Sequence, residues 1–199
     1  MGWFGETKRE AWQRLCSETQ FEYINEGFWK GDRVEWRYAN WIIVLDTYTV
    51  STGKTMVTYT RIRAPFVSKN GYRFKAFRRH LFSGIAKLFG SKRIEIGDAE
   101  FDKAFTVKGT DPQFTKRIFS SVKIREAFHS QKQIDLRIND YATYHGKSLP
   151  ANVDELYFSV GLVIKDTERL KVLFELFREM LLTLVRLGIA DGQAPAIEV

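Results

Sequence analysis

The sequence predicts an α+β domain with a curved, mostly antiparallel sheet, flanking helices and a long C-terminal helix. Aromatic residues make up 15% of the chain, and such side chains favour pleated sheet. Strand-like and helix-like stretches do not alternate strictly, as they would in a doubly wound sheet. A pleckstrin-homology-like arrangement is an alternative, because several strands precede a closing helix.

The first 80 residues predict one helix followed by strands. The helical spacing of Trp12 and Leu15 predicts a helix over residues 6–20. Polar turn residues 51–54 separate two stretches rich in β-branched and aromatic residues, which predicts a β-hairpin. The predicted strands cover residues 41–50, 55–62 and 72–79.

The middle of the chain predicts two more helices. Apolar residues recur at helical spacing over residues 80–89, and Gly90 follows them as a stop signal. Asp111 and Pro112 predict the start of a second helix, with Asp as N-cap and Pro at the first helical position. We expect this helix to reach about Phe128, with a break near Ser120.

The last third of the chain predicts two strands and the C-terminal helix. Residues 134–138 alternate between apolar and charged types, and residues 156–164 are apolar enough for a buried strand. The final helix is expected to begin at Asp166 or Thr167 and to end at Gly188. We predict one domain over residues 1–188 and a flexible tail over residues 189–199. The buried stripe of the helix is predicted to contain Leu170, Leu173, Phe174, Phe177, Met180, Leu181 and Leu184.

The charge distribution is the main functional signal. Residues 47–94 contain eleven Lys and Arg residues and no acidic residue, whereas the whole chain has a net charge of +7. The rest of the chain is therefore net acidic. Such a segment needs water, acids from elsewhere in the fold, or an anionic partner.

Seven cations of this acid-free segment form the predicted binding site for an anionic partner. The period of a strand places Arg61 and Arg63 on one face, and it does the same for Arg73 and Lys75. If the two strands are neighbours, these four cations share one surface. The other interpretation is a solvated face that discourages edge pairing. The predicted site contains Arg61, Arg63, Arg73, Lys75, Arg78, Arg79 and Lys87.

Three kinds of anionic partner remain open. The short amphipathic helix carries Phe82 and Phe89 beside cations, which is typical of insertion at the headgroup boundary of an acidic bilayer. A protein partner would use the same charges. Nucleic acid is the alternative, because aromatic residues alternate with Arg, although no RNA-binding motif is evident.

The sequence shows no catalytic or cofactor signature. Gly53 and Lys54 lack the upstream glycine and the following helix of a phosphate loop, so they predict a turn. Asp98 and Asp102 lack the pattern of a calcium loop and are expected to bind backbone amides at turns. Cys16 is the single cysteine. We therefore predict a non-enzymatic binding or scaffold protein without a metal or cofactor, and an enzyme is the third alternative.

The expected location is the cytoplasm, with peripheral attachment to the membrane as an extension of the lipid hypothesis. The chain begins without a basic region followed by an apolar stretch, so it shows no secretory signal. Charged residues interrupt the most apolar region, residues 170–187, which argues against a membrane-spanning helix. The sequence does not indicate an oligomeric state.

Residues 91–111 resemble a string found in a family of uncharacterised bacterial proteins. The string has the form gD.eFD..F.V.g.D, and here it runs from Gly97 to Asp111. As in that family, it follows a predicted hairpin and precedes a helix. The resemblance implies a shared fold and carries over no functional residue. Within the string, Phe101, Phe105 and Val107 are expected to anchor the core.

Overall fold

The predicted α+β class is confirmed by a computed structural model, which describes residues 5–25, 27, 31–51, 53–79, 92–139, 143–144 and 147–197. The helices in this part of the chain are α1 (Lys8–Ser17), α2 (Ala99–Ala104), α3 (Pro112–Phe119), α4 (Val122–Ser130) and α5 (Thr167–Arg186). The strands are β1 (Glu22–Asn25), β2 (Asp32–Tyr38), β3 (Trp41–Ser51), β4 (Met56–Val67), β5 (Phe74–Arg78), β6 (Phe105–Gly109), β7 (Asp135–Asn139), β8 (Thr143–Tyr144), β9 (Lys147–Ser148) and β10 (Val153–Val160).

Eight of these strands form one open sheet in which the described pairs are all antiparallel. The strand order is β1-β2-β3-β4-β10-β7-β5-β6, and β8 and β9 form a separate small hairpin. The predicted hairpin is present, because β3 pairs with β4 from Val44–Arg63 to Ser51–Met56. The third predicted strand is β5, but it is not a neighbour of β4. Strands β10 and β7 lie between them, so the sheet is completed by residues far apart in the chain.

The helices cover one face of the sheet and bury the main core there. Helix α5 contacts α1, α3, α4 and strand β4. Its seven predicted stripe residues are all fully buried, which confirms the packing prediction. The sheet contributes alternate residues such as Ile62, Phe158 and Leu136 to this core.

Local capping signals read from the sequence are also confirmed. The Asp111 carboxylate accepts hydrogen bonds from the amides of Gln113 at 2.7 Å and Phe114 at 3.0 Å. The helix that begins at Pro112 is interrupted at Ser120, as predicted, and α4 starts two residues later. Asp98 caps α2 through the Phe101 amide.

Several strands and boundaries differ from the prediction. Strands β1 and β2 were not predicted, because the glycines around them indicated a break in the chain. The predicted strand over residues 156–164 is β10, which starts and ends earlier; the chain then leaves the sheet, and the Leu162 carbonyl accepts from the Thr60 amide. Ile189 and Ala190 are buried, so the folded part of the chain extends past the predicted end at Gly188.

The amphipathic helix predicted over residues 80–89 lies outside the described residues, and so do Phe82, Lys87 and Phe89. Among the helices that the structure does describe, none is long and apolar enough to cross a membrane.

Candidate functional site

The sheet face opposite the helices carries charged side chains, and we call it the charged face. Strand alternation places the charged side chains there. Ile62 and Ala64 point into the helix-covered core, so Arg61 and Arg63 point the other way. We consider the six neighbouring strands β3, β4, β10, β7, β5 and β6. On these strands the charged face contains Asp46, Arg61, Arg63, Glu155, Asp135, Arg137, Lys75 and Lys108.

Strand register places four of these cations in one line across the sheet. Arg63 pairs with Tyr157, Tyr157 with Arg137, Arg137 with Lys75, and Lys75 with Lys108. We call Arg63, Arg137, Lys75 and Lys108 the cation row. Neighbouring strands lie about 4.8 Å apart, so the row spans roughly 19 Å.

Acids from outside the acid-free segment pair with several of its cations. The Asp46 carboxylate accepts from Arg61 Nη2 at 3.0 Å and from Arg63 Nη2 at 2.8 Å. Lys75 Nζ lies 3.1 Å from Asp135 Oδ2. The side chains of Arg63 and Lys75 are only 4% and 5% exposed. The charge of these residues is therefore balanced by acids inside the fold.

Glu155 is a buried acid of the charged face. It is 2% exposed, and its Oε1 lies 3.9 Å from Arg63 Nη1 without a hydrogen bond to a described residue. Burial raises the pKa of its carboxyl to about 7, although the Arg63 and Arg61 cations oppose the shift. Near neutral pH the Glu155 carboxyl therefore changes between its protonated and ionised forms, and the charge of the face changes with it.

Tyrosine rings lie against two of the arginines of this face, Arg137 and Arg61. The Arg137 guanidinium lies 4.7 Å from the centre of the Tyr157 ring, and Arg61 lies 5.0 Å from that of Tyr48. The Tyr157 hydroxyl donates to the Tyr48 hydroxyl at 3.4 Å, and burial raises the pKa of Tyr157. Such contacts restrict the guanidinium groups to a few orientations.

The other predicted site residues lie elsewhere. Arg73 forms a bidentate ion pair with Asp154, in which Nη1 and Nη2 each donate to one carboxylate oxygen at 2.7 Å. Arg78 donates to the backbone carbonyl of Gln131 at 2.9 Å, at the end of α4. Arg79 is exposed. The structure thus brings Arg61, Arg63 and Lys75 onto one face, and the role of all seven predicted cations in binding stays a prediction.

Reasoning from the sequence missed Arg137, Lys108 and Tyr157. The alternation of residues 134–138 already indicated that Arg137 faces away from the core. The charge analysis considered only the acid-free segment, so cations on other strands were left out. Among the described residues, no group of three or more His, Cys, Asp or Glu side chains could hold a metal ion.

Comparison with known proteins supports the fold. No protein-family model matches the chain, and no curated protein matches it either. A solved structure that is similar is the mycobacterial trehalose monomycolate transport factor A, TtfA, with a TM-score of 0.52 and 10% sequence identity. The similarity covers 96% of this chain and 98% of that one. At this identity it shows a shared fold, and the resemblance of residues 91–111 to a bacterial family stays a prediction.

Proposed function

We propose that this chain is a non-enzymatic binding protein that engages an anionic group of a membrane surface or a protein partner through its charged face. The observation that carries this proposal is the cation row. Five cations and three acids occupy this part of the face. The excess of positive charge becomes larger when Glu155 is protonated.

The arrangement suits a localised anion. Guanidinium groups bind carboxylate and phosphate through two parallel hydrogen bonds. Arg137 is held over Tyr157 and is partly exposed, so its group is oriented before a partner arrives. Arg63 and Lys75 are buried beside Asp46 and Asp135, which balance their charge. In this proposal Arg137 and Lys108, which are partly exposed, contact the anion.

The similarity to TtfA supports a binding role. That protein is described as a trehalose monomycolate transport factor, and this description names a role in transport and no enzymatic activity. Attachment at the cytoplasmic side of a membrane belongs to the same proposal. It would combine the charged face with Phe82, Phe89 and Lys87 of the acid-free segment.

A binding screen tests the proposal. The purified chain is mixed with acidic liposomes, neutral liposomes and single-stranded RNA at low and physiological salt. We expect binding to acidic liposomes that weakens with salt. The double variant Arg137→Glu/Lys108→Glu should lower this binding by about tenfold, because it removes two cations and adds two acids.

Matched controls separate a local site from net charge. Lys103 and Lys132 are exposed cations outside the cation row, and Lys103→Glu/Lys132→Glu changes the net charge by the same amount. Equal losses in both double variants would contradict a site at the charged face. Binding to RNA alone, lost steeply with salt, would favour the nucleic-acid alternative. No binding in any arm would overturn the membrane form of the proposal.

A further inference from the structure

The outer half of the β3–β4 hairpin extends beyond the strands beside it. Pairing of β2 with β3 ends at Val34–Leu45, and pairing of β10 with β4 ends at Val160–Thr60. Within the described part of the chain, residues 47–51 therefore have a strand partner on the β4 side only. We call the other side of residues 47–51 the hairpin edge. Its outward backbone groups form a template for another strand.

The hairpin edge lacks the features that usually protect such an edge. Residues 47–51 read Thr-Tyr-Thr-Val-Ser and contain no charge, proline or glycine. Natural proteins commonly place lysine, proline or a bulge at an exposed edge to prevent pairing. Val50 is 39% exposed, and Met56 across the turn is 76% exposed. Thr, Tyr and Val also favour extended backbone.

Side-chain pairs across the hairpin make this template rigid. The rings of Tyr48 and Tyr59 stack at 5.1 Å on one face. On the other face, the hydroxyls of Thr49 and Thr58 lie 2.9 Å apart. Cross-strand pairs of this kind stabilise a two-stranded ribbon. An arriving strand would therefore meet an ordered edge.

We propose that the hairpin edge binds an extended, acidic segment of a partner protein by strand addition. Lys8 lies at one end, with its Nζ 3.3 Å from Thr47 Oγ1. Lys54 lies in the turn at the other end and is exposed. Residues 47–60 contain no acid. The fitting ligand is a stretch of about five uncharged residues, roughly 17 Å long, with an acidic residue at each end.

The same charges argue against a second copy of this chain as the occupant. Antiparallel pairing of two identical edges would place the Thr47 end of one copy beside the Ser51 end of the other. Lys8 of each copy would then lie near Lys54 of its partner, at both ends of the new pair. Like charges across neighbouring strands are destabilising.

This inference goes beyond the proposed function, because it places a second binding site outside the cation row. The probe is a library of capped peptides with a variable centre of Thr, Val, Ile, Ser and Tyr. One set of peptides has glutamate at both ends, and the other has lysine. Binding is measured by titration, and the NMR signals of the backbone amides show which residues of the protein the peptide contacts.

We expect the glutamate-ended peptides to shift the amide signals of residues 47–51 and to bind about tenfold more tightly than the lysine-ended set. Lys8→Glu/Lys54→Glu should reverse this preference. Lys103→Glu/Lys132→Glu should leave it unchanged, and so should Arg137→Glu/Lys108→Glu. The last variant separates the two proposals, because it removes binding at the charged face only.

Three results would overturn the inference. The first is that no peptide shifts the signals of residues 47–51 at millimolar concentration. The second is a preference for glutamate ends that persists in Lys8→Glu/Lys54→Glu. The third is a dimer of the free chain whose interface protects the amides of residues 47–51, since that would assign the hairpin edge to a second copy.

Discussion

Both faces of the sheet contain buried side chains, but those side chains carry different chemistry. On the helix-covered face, Ile62 and Phe158 are fully buried. On the same two strands, Arg63 and Glu155 are 3% and 2% exposed on the charged face. Burial alone therefore does not say what a face contributes. The first face gains from the removal of apolar surface from water, whereas the second must offset the cost of removing charges from water.

This difference predicts different responses to substitution. Truncation on the helix-covered face leaves a cavity, and its cost depends on the volume lost. Loss of one partner on the charged face leaves the other charge buried without its pair. Replacement of both partners by apolar residues should therefore be less harmful than replacement of one.

The largest expected effect belongs to the helix-covered face. Phe177 is fully buried on α5, and Phe177→Ala should lower the free energy of unfolding by about 3–5 kcal/mol. Leu181→Ala should cost about 2–5 kcal/mol. Chemical denaturation measures both. Val122 is 56% exposed, so Val122→Ala serves as the control with little change. Unchanged midpoints for Phe177→Ala and Leu181→Ala would refute the packing of α5.

Substitutions on the charged face test the comparison most directly. Lys75→Met leaves Asp135, whose side chain is 4% exposed, without this cation and should cost about 3–5 kcal/mol. The double variant Lys75→Met/Asp135→Leu should recover most of that loss, as a double-mutant cycle in urea would show. Lys123 is 73% exposed, so Lys123→Met should change stability by less than about 0.5 kcal/mol. A double variant as unstable as Lys75→Met would contradict our account of this face.

The protonation of Glu155 gives a pH test. Burial raises its pKa from 4.5 to about 7 in the folded state, so the folded state binds the proton more tightly than the unfolded state. The resulting stabilisation is fully present below about pH 4.5 and is lost as the pH rises to about 7. One such group changes stability by up to about 1.4 kcal/mol per pH unit in this window.

Glu155→Gln should remove this part of the pH dependence. Free energies of unfolding measured in urea between pH 5 and pH 8 should fall with pH in the original chain and fall less steeply in the variant. Glu126 is exposed, and Glu126→Gln is the matched control that should keep the original slope. The same slope in all three proteins would show that Glu155 is not the responsible group.

The smallest expected effect is the loss of a helix cap away from both faces. Asp111→Ala removes the acceptor of two amides at the start of α3 and should cost about 0.5–2 kcal/mol. Ser121 occupies the same position at the start of α4 but makes no side-chain capping bond, so Ser121→Ala should have little effect. Thermal unfolding compares the two variants, and equal losses would remove the cap from this account.

The sequence by itself determined the elements whose signals are local. Each of these signals depends only on residues that are near one another in the sequence. Examples are the stripe of α5, the cap at Asp111 and the β3–β4 hairpin. Their spacing and turn chemistry predict them without knowledge of the rest. The α+β class follows from these elements, because it requires only their kinds and their order.

Only the tertiary structure decided which strands are neighbours and which charges meet. Sequence placed Arg61, Arg63 and Lys75 on outward faces, but β10 and β7 separate their strands. Lys75 meets Asp135, and Arg73 meets Asp154 81 residues away. The acid-free segment is therefore partly balanced from within by acids remote in sequence. Strand order depends on how distant apolar faces pack together, and no local pattern in the chain encodes that choice.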